Sequence, residues 1–183
     1  MPSEQQKSTT PPSERDEWRT PKPIFHYANM RWGPLEIDLA ASAENTLCPR
    51  FFTKKDDALS RRWHVRGASG WCNPPYSNTG AWVEKAAVEA VCGFTTVMLL
   101  PEPAGASWMA RFSHARNLVF LIGRVSFLRP DGKTKVSGNR WGSIIAVFGP
   151  RRPGSRRDRP PVVEFTHRKT LEERYYALQR ETA

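Results

Sequence analysis

Gly70-Trp71-Cys72-Asn73-Pro74-Pro75-Tyr76 decides how the rest of the chain is read. Residues 69–72 suit a short strand, which must stop at Pro74-Pro75 because proline has no N–H for a ladder. The periodicity then changes. Over 79–92 the residues Trp82, Val83, Ala86, Ala87, Ala90 and Val91 fall on one helical face, with Gly93 as the stop. Residues 95–100 are continuously apolar, as in a strand buried on both faces of a parallel sheet. Working outward, 35–40 alternates like a strand, 105–115 suits a second helix, and 118–122 and 143–148 suit further strands. Residues 170–180 suit a closing helix, with Thr170 and Glu173 at capping-box spacing. Strands alternating with helices predict an α/β fold with a mostly parallel sheet. The expected organisation is a disordered tail over 1–15, one domain over 16–150, and a basic linker with a C-terminal helix over 151–183.

The chain has 183 residues, long enough for one domain with its own core. No apolar run approaches the length of a membrane span, and residues 1–12 carry no signal-peptide core. Three cysteines, Cys48, Cys72 and Cys92, make no disulfide framework and suit a reducing compartment. The formal charge is +10. All of that excess lies in 111–159, which holds 12 Lys or Arg and 2 Asp or Glu. Such clustering is the footprint of a polyanion partner; a solvated basic surface is the plainer reading. The 7 tryptophans could stack on bases, although most belong in a core.

Several chemistries fail on inspection. Gly132-Lys133-Thr134 resembles the end of a phosphate-binding loop, but its first glycine should stand at 127, which is Phe127. There is no Gly-x-Ser-x-Gly elbow and no Gly-x-Gly-x-x-Gly fingerprint. His26, His64, His114 and His167 lack metal-ligand spacing. What remains is Asn73-Pro74-Pro75-Tyr76, at the end of a strand, where open α/β sheets bind ligands. Asn73 offers a neutral carbonyl, and Pro74 a main-chain carbonyl on a stiff backbone. Two such acceptors match the two hydrogens of an exocyclic amine, and Tyr76 gives the attached ring a face to stack on. The amine of adenine is a poor nucleophile because its lone pair is delocalised. Acceptors on its hydrogens favour a pyramidal nitrogen and aim the lone pair at an incoming methyl group, each contact contributing about 3 kcal/mol. An ordinary strand-ending turn with a packed aromatic is the structural alternative.

Around this loop the chain resembles the phage DNA N6-adenine methyltransferases, a Dam-like family, over roughly 16–148. The resemblance is carried by Asp16-Glu17-Trp18-x-Thr20-Pro21 and Glu36-Ile37-Asp38-Leu39-Ala40-Ala41-Ser42, with Asn45 and Cys48. Phe51-Phe52-Thr53, Asp56-Asp57-Ala58-Leu59 and Trp63 follow, then Trp71-Cys72-Asn73-Pro74-Pro75-Tyr76-Ser77 and Trp82-Val83-x-Lys85-Ala86. Leu99-Leu100-Pro101, Gly123-Arg124 with Phe127, and 143–148 complete it. The chain departs from the family at Glu102-Pro103-Ala104-Gly105-Ala106, where polar or arginine residues are common.

The resemblance implies a Rossmann-like methyltransferase fold and S-adenosylmethionine as donor. It implies cofactor contacts from Trp18, from Thr20 and Pro21 at the donor's methionine end, and from Asp38 at the end of the first strand. Ala40 and Ala41 stand where glycines are usual. Asp57, with Ala58 beside it, would bind the donor's adenine amine, and Asn73 would touch donor as well as base. Asn73, Pro74, Pro75 and Tyr76 form the catalytic loop. The acceptor implied is adenine in double-stranded DNA, flipped out of the stack, in the cytoplasm of a bacterial host, with no metal. Arg124, Arg129, Lys133, Lys135, Arg140, Arg151 and Arg152 are the candidate DNA contacts, and a loop near 128–142 the candidate recognition element. Thr20-Pro21 as a plain turn and Asp38 or Asp57 as caps are the structural alternatives. Cytosine N4, RNA adenine or a glutamine amide could accept the methyl by the same chemistry. A non-catalytic basic binding module on the same fold would bind no donor. If the basic stretch holds a phosphate backbone, affinity for DNA falls linearly with salt on logarithmic axes; a flat dependence in a fluorescence-anisotropy titration would reduce it to a solvated surface.

Overall fold

The computed structural model describes residues 11–63, 68–102, 105–136, 141–150 and 159–182. In chain order the elements are α1 (Pro12–Arg15), α2 (Lys22–Trp32), β1 (Leu35–Asp38), β2 (Arg50–Phe51), β3 (Ser69–Cys72), α3 (Thr79–Val91), β4 (Thr95–Pro101), β5 (Ala115–Ile122), β6 (Ser143–Phe148), β7 (Val162–His167) and α4 (Arg168–Glu181). The strands form one sheet in the order β2-β1-β3-β4-β6-β5-β7. Every pairing is parallel except the two made by β6, which runs antiparallel to β4 and β5. This is the expected α/β architecture, a mostly parallel sheet flanked by helices.

The central strands are apolar throughout because both faces are covered. In β4, Met98 and Leu100 point into the layer of α3, and Val97 and Leu99 into the layer that holds α2 and α4. β6 alternates in the same way, Ile144, Ala146 and Phe148 against Ile145 and Val147. A register shift between Leu35 and Ile37 in β1 accompanies their division between the two layers. The carboxyl ends of β1, β3 and β4 share one edge of the sheet. The pairing of Ser143 with both Pro101 and Leu121 brings the start of β6 and the end of β5 to that same edge.

Several expectations change. In α3, Val91 is 86% exposed, and Glu89 takes a buried position instead. The apolar stripe drifts at the last turn, and Glu89 is accommodated by Lys85, whose Nζ lies 2.7 Å from its carboxylate and 5.8 Å from the Trp63 ring centroid. Residues Ser107–His114 form a 3-10 turn rather than an α-helix; the segment has few strong helix formers, and its Trp108 and Phe112 rings pack edge-on at 5.6 Å. The first strand ends at Asp38, two residues early, and β5 begins at Ala115, three residues early. The capping box at Thr170 does not form. The chain passes from β7 directly into α4, so His167 is the residue before the helix and Thr170 falls inside the first turn.

The segment 162–167, which shows no clear element by pattern, adds the seventh strand beside β5. Arg31 of α2 fastens it through an ion pair of 2.5 Å with Glu164. Of the tail expected over 1–15, Pro12–Arg15 make one helical turn, held at Glu14, 3.4 Å from Arg129; residues 1–10 lie outside the described residues. Among the described residues no helix is long and apolar enough to cross a membrane.

Gly70 marks how tightly β3 is packed. A Cβ there would stand 2.9 Å from Phe94 Cζ and 3.0 Å from Leu39 Cδ1. Gly70→Ala is therefore expected to destabilise the fold by about 1–3 kcal/mol, read as a lower urea midpoint; an unchanged midpoint would show that the two layers yield freely at β3.

Candidate active site

The parallel pairing of Asp38 with Trp71 places the ends of β1 and β3 side by side. A small cleft, open to solvent, lies beyond them. Of the residues expected to touch a cofactor, Trp18, Thr20, Asp38, Ala40 and Asn73 line it. Asp16, Arg19, Asn45, Leu47 and Trp71 line it as well. Pro21 stands just outside as the residue before α2, and the N–H of Ala41 donates to the Phe52 carbonyl at 3.0 Å. Asp57 and Ala58 belong to the loop after β2, outside the lining. Asp57 is exposed and holds a left-handed φ of 46° at the end of a 3-10 turn. Ala58 is buried, and its carbonyl accepts Trp63 Nε1–H at 2.7 Å.

The loop after β3 is held by a segment that precedes it by more than 50 residues. Asn73 Nδ2 donates to the Trp18 carbonyl at 3.0 Å. That contact sets the amide: its NH2 faces Trp18, and Oδ1 is left as a buried acceptor with no partner among the described residues. Downstream, Asp16 accepts the Ser77 N–H at 3.0 Å and the Ser77 hydroxyl at 2.5 Å. Residues 16–18 thus grip the loop after β3 at both ends. Pro74 is buried, and Pro75 directs the chain into the 3-10 turn that begins at Tyr76. The Tyr76 ring lies edge-on to Trp18 at 6.3 Å and to Phe127 at 5.9 Å, while Trp18 and Phe127 stack at 5.7 Å. The hydroxyl end of Tyr76 is buried, which pushes the phenol well above its ordinary range.

Electrostatics at the floor of the cleft centre on Asp38. Burial lifts its carboxyl to about 6, although the Leu47 and Ala40 N–H groups, at 3.2 and 3.4 Å, favour the charged form. Burial, reinforced by the Asp38 charge, pushes the Cys48 thiol up to about 12 and the Cys72 thiol well above its usual value. Both thiols are therefore poor nucleophiles at neutral pH. Trp18 Nε1 and Tyr76 Oη are likewise buried polar atoms without a partner among the described residues.

The segment 16–20 also reaches the candidate recognition element. The backbones of Arg19 and Leu128 exchange hydrogen bonds of 2.8 and 3.0 Å. Leu128 in turn bridges Lys135, closing a small hairpin whose turn is built on Asp131. Its carboxylate accepts the N–H groups of Lys133 and Thr134 at 2.8 and 2.9 Å. The Thr134 hydroxyl, foremost, and these N–H groups hold that carboxyl below its ordinary range. Gly132, with φ of +70°, makes the tight bend possible. The Gly132-Lys133-Thr134 tripeptide is therefore a hairpin turn and not the start of a phosphate-cradling helix.

Lys133, Lys135 and Arg124 are exposed. Arg129 is paired with Glu14, and Arg111 with Glu84, so part of the basic excess is matched by acids elsewhere in the chain. Arg140, Arg151 and Arg152, with the 137–140 part of the expected loop, lie outside the described residues. Local sequence gave no sign of the Asp16–Ser77 and Arg19–Leu128 contacts, beyond the presence of Asp16 and Trp18 in one motif block.

The sequence model of the family described as DNA N-6-adenine-methyltransferase (Dam) matches residues 7–169. A DNA N-6-adenine-methyltransferase of Haemophilus phage HP1 is 30% identical over 151 residues, covering 80% of this chain and 86% of that protein. Its namesake in Escherichia phage T1 is 29% identical over 157 residues, covering 77% of this chain. The chain spans 66% of the T1 protein's length. A match over most of the sequence, set on this strand order and this strand-end cleft, shows that the chain belongs to the Dam family of DNA N-6-adenine-methyltransferases.

Proposed function

We propose that the chain transfers a methyl group from S-adenosylmethionine to N6 of adenine in DNA, within the cleft at the ends of β1 and β3. One observation supports this reading above the others: Asn73 Oδ1 is a buried acceptor without a partner among the described residues, its amide oriented by the Trp18 carbonyl. A buried acceptor left unmatched is costly, and an amine hydrogen satisfies it.

The residues lining the cleft suit the donor. S-adenosylmethionine is a cation with polar ends. Asp38 offers a buried carboxylate, Trp18 Nε1 an unmatched N–H, and Thr20 a buried hydroxyl side chain at the wall. When bound, the donor supplies a methyl group activated by a sulfonium. The chain's own part is to hold the acceptor. Asn73 Oδ1 and the Pro74 carbonyl take the two amine hydrogens, which draws the nitrogen toward a pyramidal geometry with its lone pair facing the donor. Tyr76, fixed by Trp18 and Phe127, carries the adenine ring. Asp16 and Ser77 keep the loop from opening. The hairpin over 128–135, with Arg124, offers positive charge to the DNA backbone on the same edge of the sheet. A stacked base cannot reach the loop, so the adenine is flipped out of the helix. With two relatives from phages, our reading puts the site of action in a bacterial host's cytoplasm.

Asn73→Ala is expected to lower tritiated-methyl transfer to unmethylated DNA by a hundredfold or more, about 3 kcal/mol, while donor binding measured by calorimetry persists; retained turnover would remove Asn73 from the chemistry. A second test uses pH. Asp38 is ionised only above about 6, and its negative charge favours the cationic donor. Donor affinity is therefore expected to strengthen as pH rises through 6 and to lose that dependence in Asp38→Asn; an identical pH profile in the two proteins would show that Asp38 does not face the donor's charge.

A further inference from the structure

S-adenosylmethionine carries a sulfonium, an α-ammonium and an α-carboxylate. A site that fits it needs acids for the first two and a cation for the third. The cleft lining holds that set. Asp16 and Asp38 are its carboxylates, and Arg19 is the one cation among the described residues that line it. Arg19 is half-buried and fixed at both ends. Its backbone exchanges hydrogen bonds of 2.8 and 3.0 Å with Leu128. Its guanidinium reaches the loop after β1, where Nη1 donates to the Glu44 carbonyl at 2.7 Å. Segments 16–20 and 38–47 are the two walls of the cleft, so the side chain crosses from one wall to the other. What it holds there is a neutral carbonyl. The Glu44 carboxylate is turned instead to the Ser42 hydroxyl, at 2.6 Å. None of the ion pairs among the described residues includes Arg19.

We infer that Arg19 is a cofactor-binding residue that holds the α-carboxylate of S-adenosylmethionine and selects for a donor that carries one. The inference rests on the function proposed above and adds a residue to its donor site. A guanidinium has five N–H donors in a planar fork that matches a carboxylate, and the Glu44 carbonyl engages one nitrogen of that fork. Holding the backbone at Leu128 and the head at Glu44 leaves little ordering to be done when the carboxylate arrives. The other polyanion that meets this edge of the sheet is DNA. Arg124, Lys133 and Lys135 stand exposed for it, whereas Arg19 is half-buried against the cleft, which favours the donor.

The test is calorimetry with two ligands that differ only in the carboxylate, S-adenosylmethionine and its decarboxylated derivative. It compares the unaltered chain with Arg19→Ala and with Arg19→Gln, which keeps an N–H donor in place of the charge. The unaltered chain is expected to bind S-adenosylmethionine roughly 10- to 100-fold more tightly than the decarboxylated derivative, the range that hydrogen bonds to a charged group give. Both variants should lose that preference, by weaker binding of S-adenosylmethionine alone. Equal binding of the two ligands by the unaltered chain would overturn the inference. So would a preference that persists in either variant, or a parallel loss of both ligands, which would make Arg19 a support for the loop after β1. Weaker DNA binding by fluorescence anisotropy with donor affinity unchanged would overturn it in favour of a phosphate contact. If Arg19→Ala fails to fold, Arg19→Gln still decides. Failure of the unaltered chain to bind either ligand would instead overturn the function itself, a result distinct from any of these.

Discussion

An asparagine side chain presents an oxygen or an NH2 to a ligand according to how its amide is turned. In this chain the turn is set by one hydrogen bond, from Asn73 Nδ2 to the carbonyl of Trp18. With the NH2 so engaged, Oδ1 is left as the acceptor without a partner among the described residues. The bond joins residues 55 positions apart, so it exists only because the segment 16–20 lies across the end of β3. That segment is itself held from three directions: by Ser77 at Asp16, by Leu128 at Arg19, and by the Glu44 carbonyl, which accepts Arg19 Nη1–H at 2.7 Å. The loop after β3, the loop after β1 and the basic hairpin thus share one support.

The same region holds polar groups that a purely structural packing would avoid. Asp38 is a carboxylate buried at the end of a strand, and Asn73 Oδ1 and Trp18 Nε1 are buried without partners among the described residues. Each is unfavourable in the chain alone. The rest of the sheet offsets them with an apolar interior on both faces, from Trp63 and Phe94 on one side to Ile24 and Phe127 on the other. Unpartnered buried polar atoms also occur elsewhere, at Thr96, Ser143 and Arg168, but at the cleft an acceptor, a donor and a buried carboxylate come together, which is the pattern of a site built for a ligand.

The extent to which this was legible in the sequence follows from the range of the interactions involved. β3, the stop at Pro74-Pro75, α3 and β4 are set by local signals, namely a proline break, a helical stripe and an apolar run, and they stand where those signals put them. The chemistry proposed for Asn73 rests on its residue type and its place at a strand end. The contacts that orient it did not, since a hydrogen bond between Asp16 and Ser77, 61 positions apart, leaves no periodicity. β7 escaped notice because an edge strand with exposed Val162, Val163 and Phe165 shows no clean alternation, and its place is set by Arg31 and by β5. The Thr170 capping box misled because strand and helix abut with no turn between them. Charge counting located the basic stretch but could not see that Glu14 and Glu84 draw part of it into ion pairs.

The most direct test of the central claim is a crystal structure of the chain with S-adenosylhomocysteine and an adenine-containing duplex. The account predicts an extrahelical adenine whose N6 lies within hydrogen-bond distance of Asn73 Oδ1, with Nδ2 still on the Trp18 carbonyl. A base bound elsewhere, or an Asn73 amide turned so that its NH2 faces the base, would contradict it.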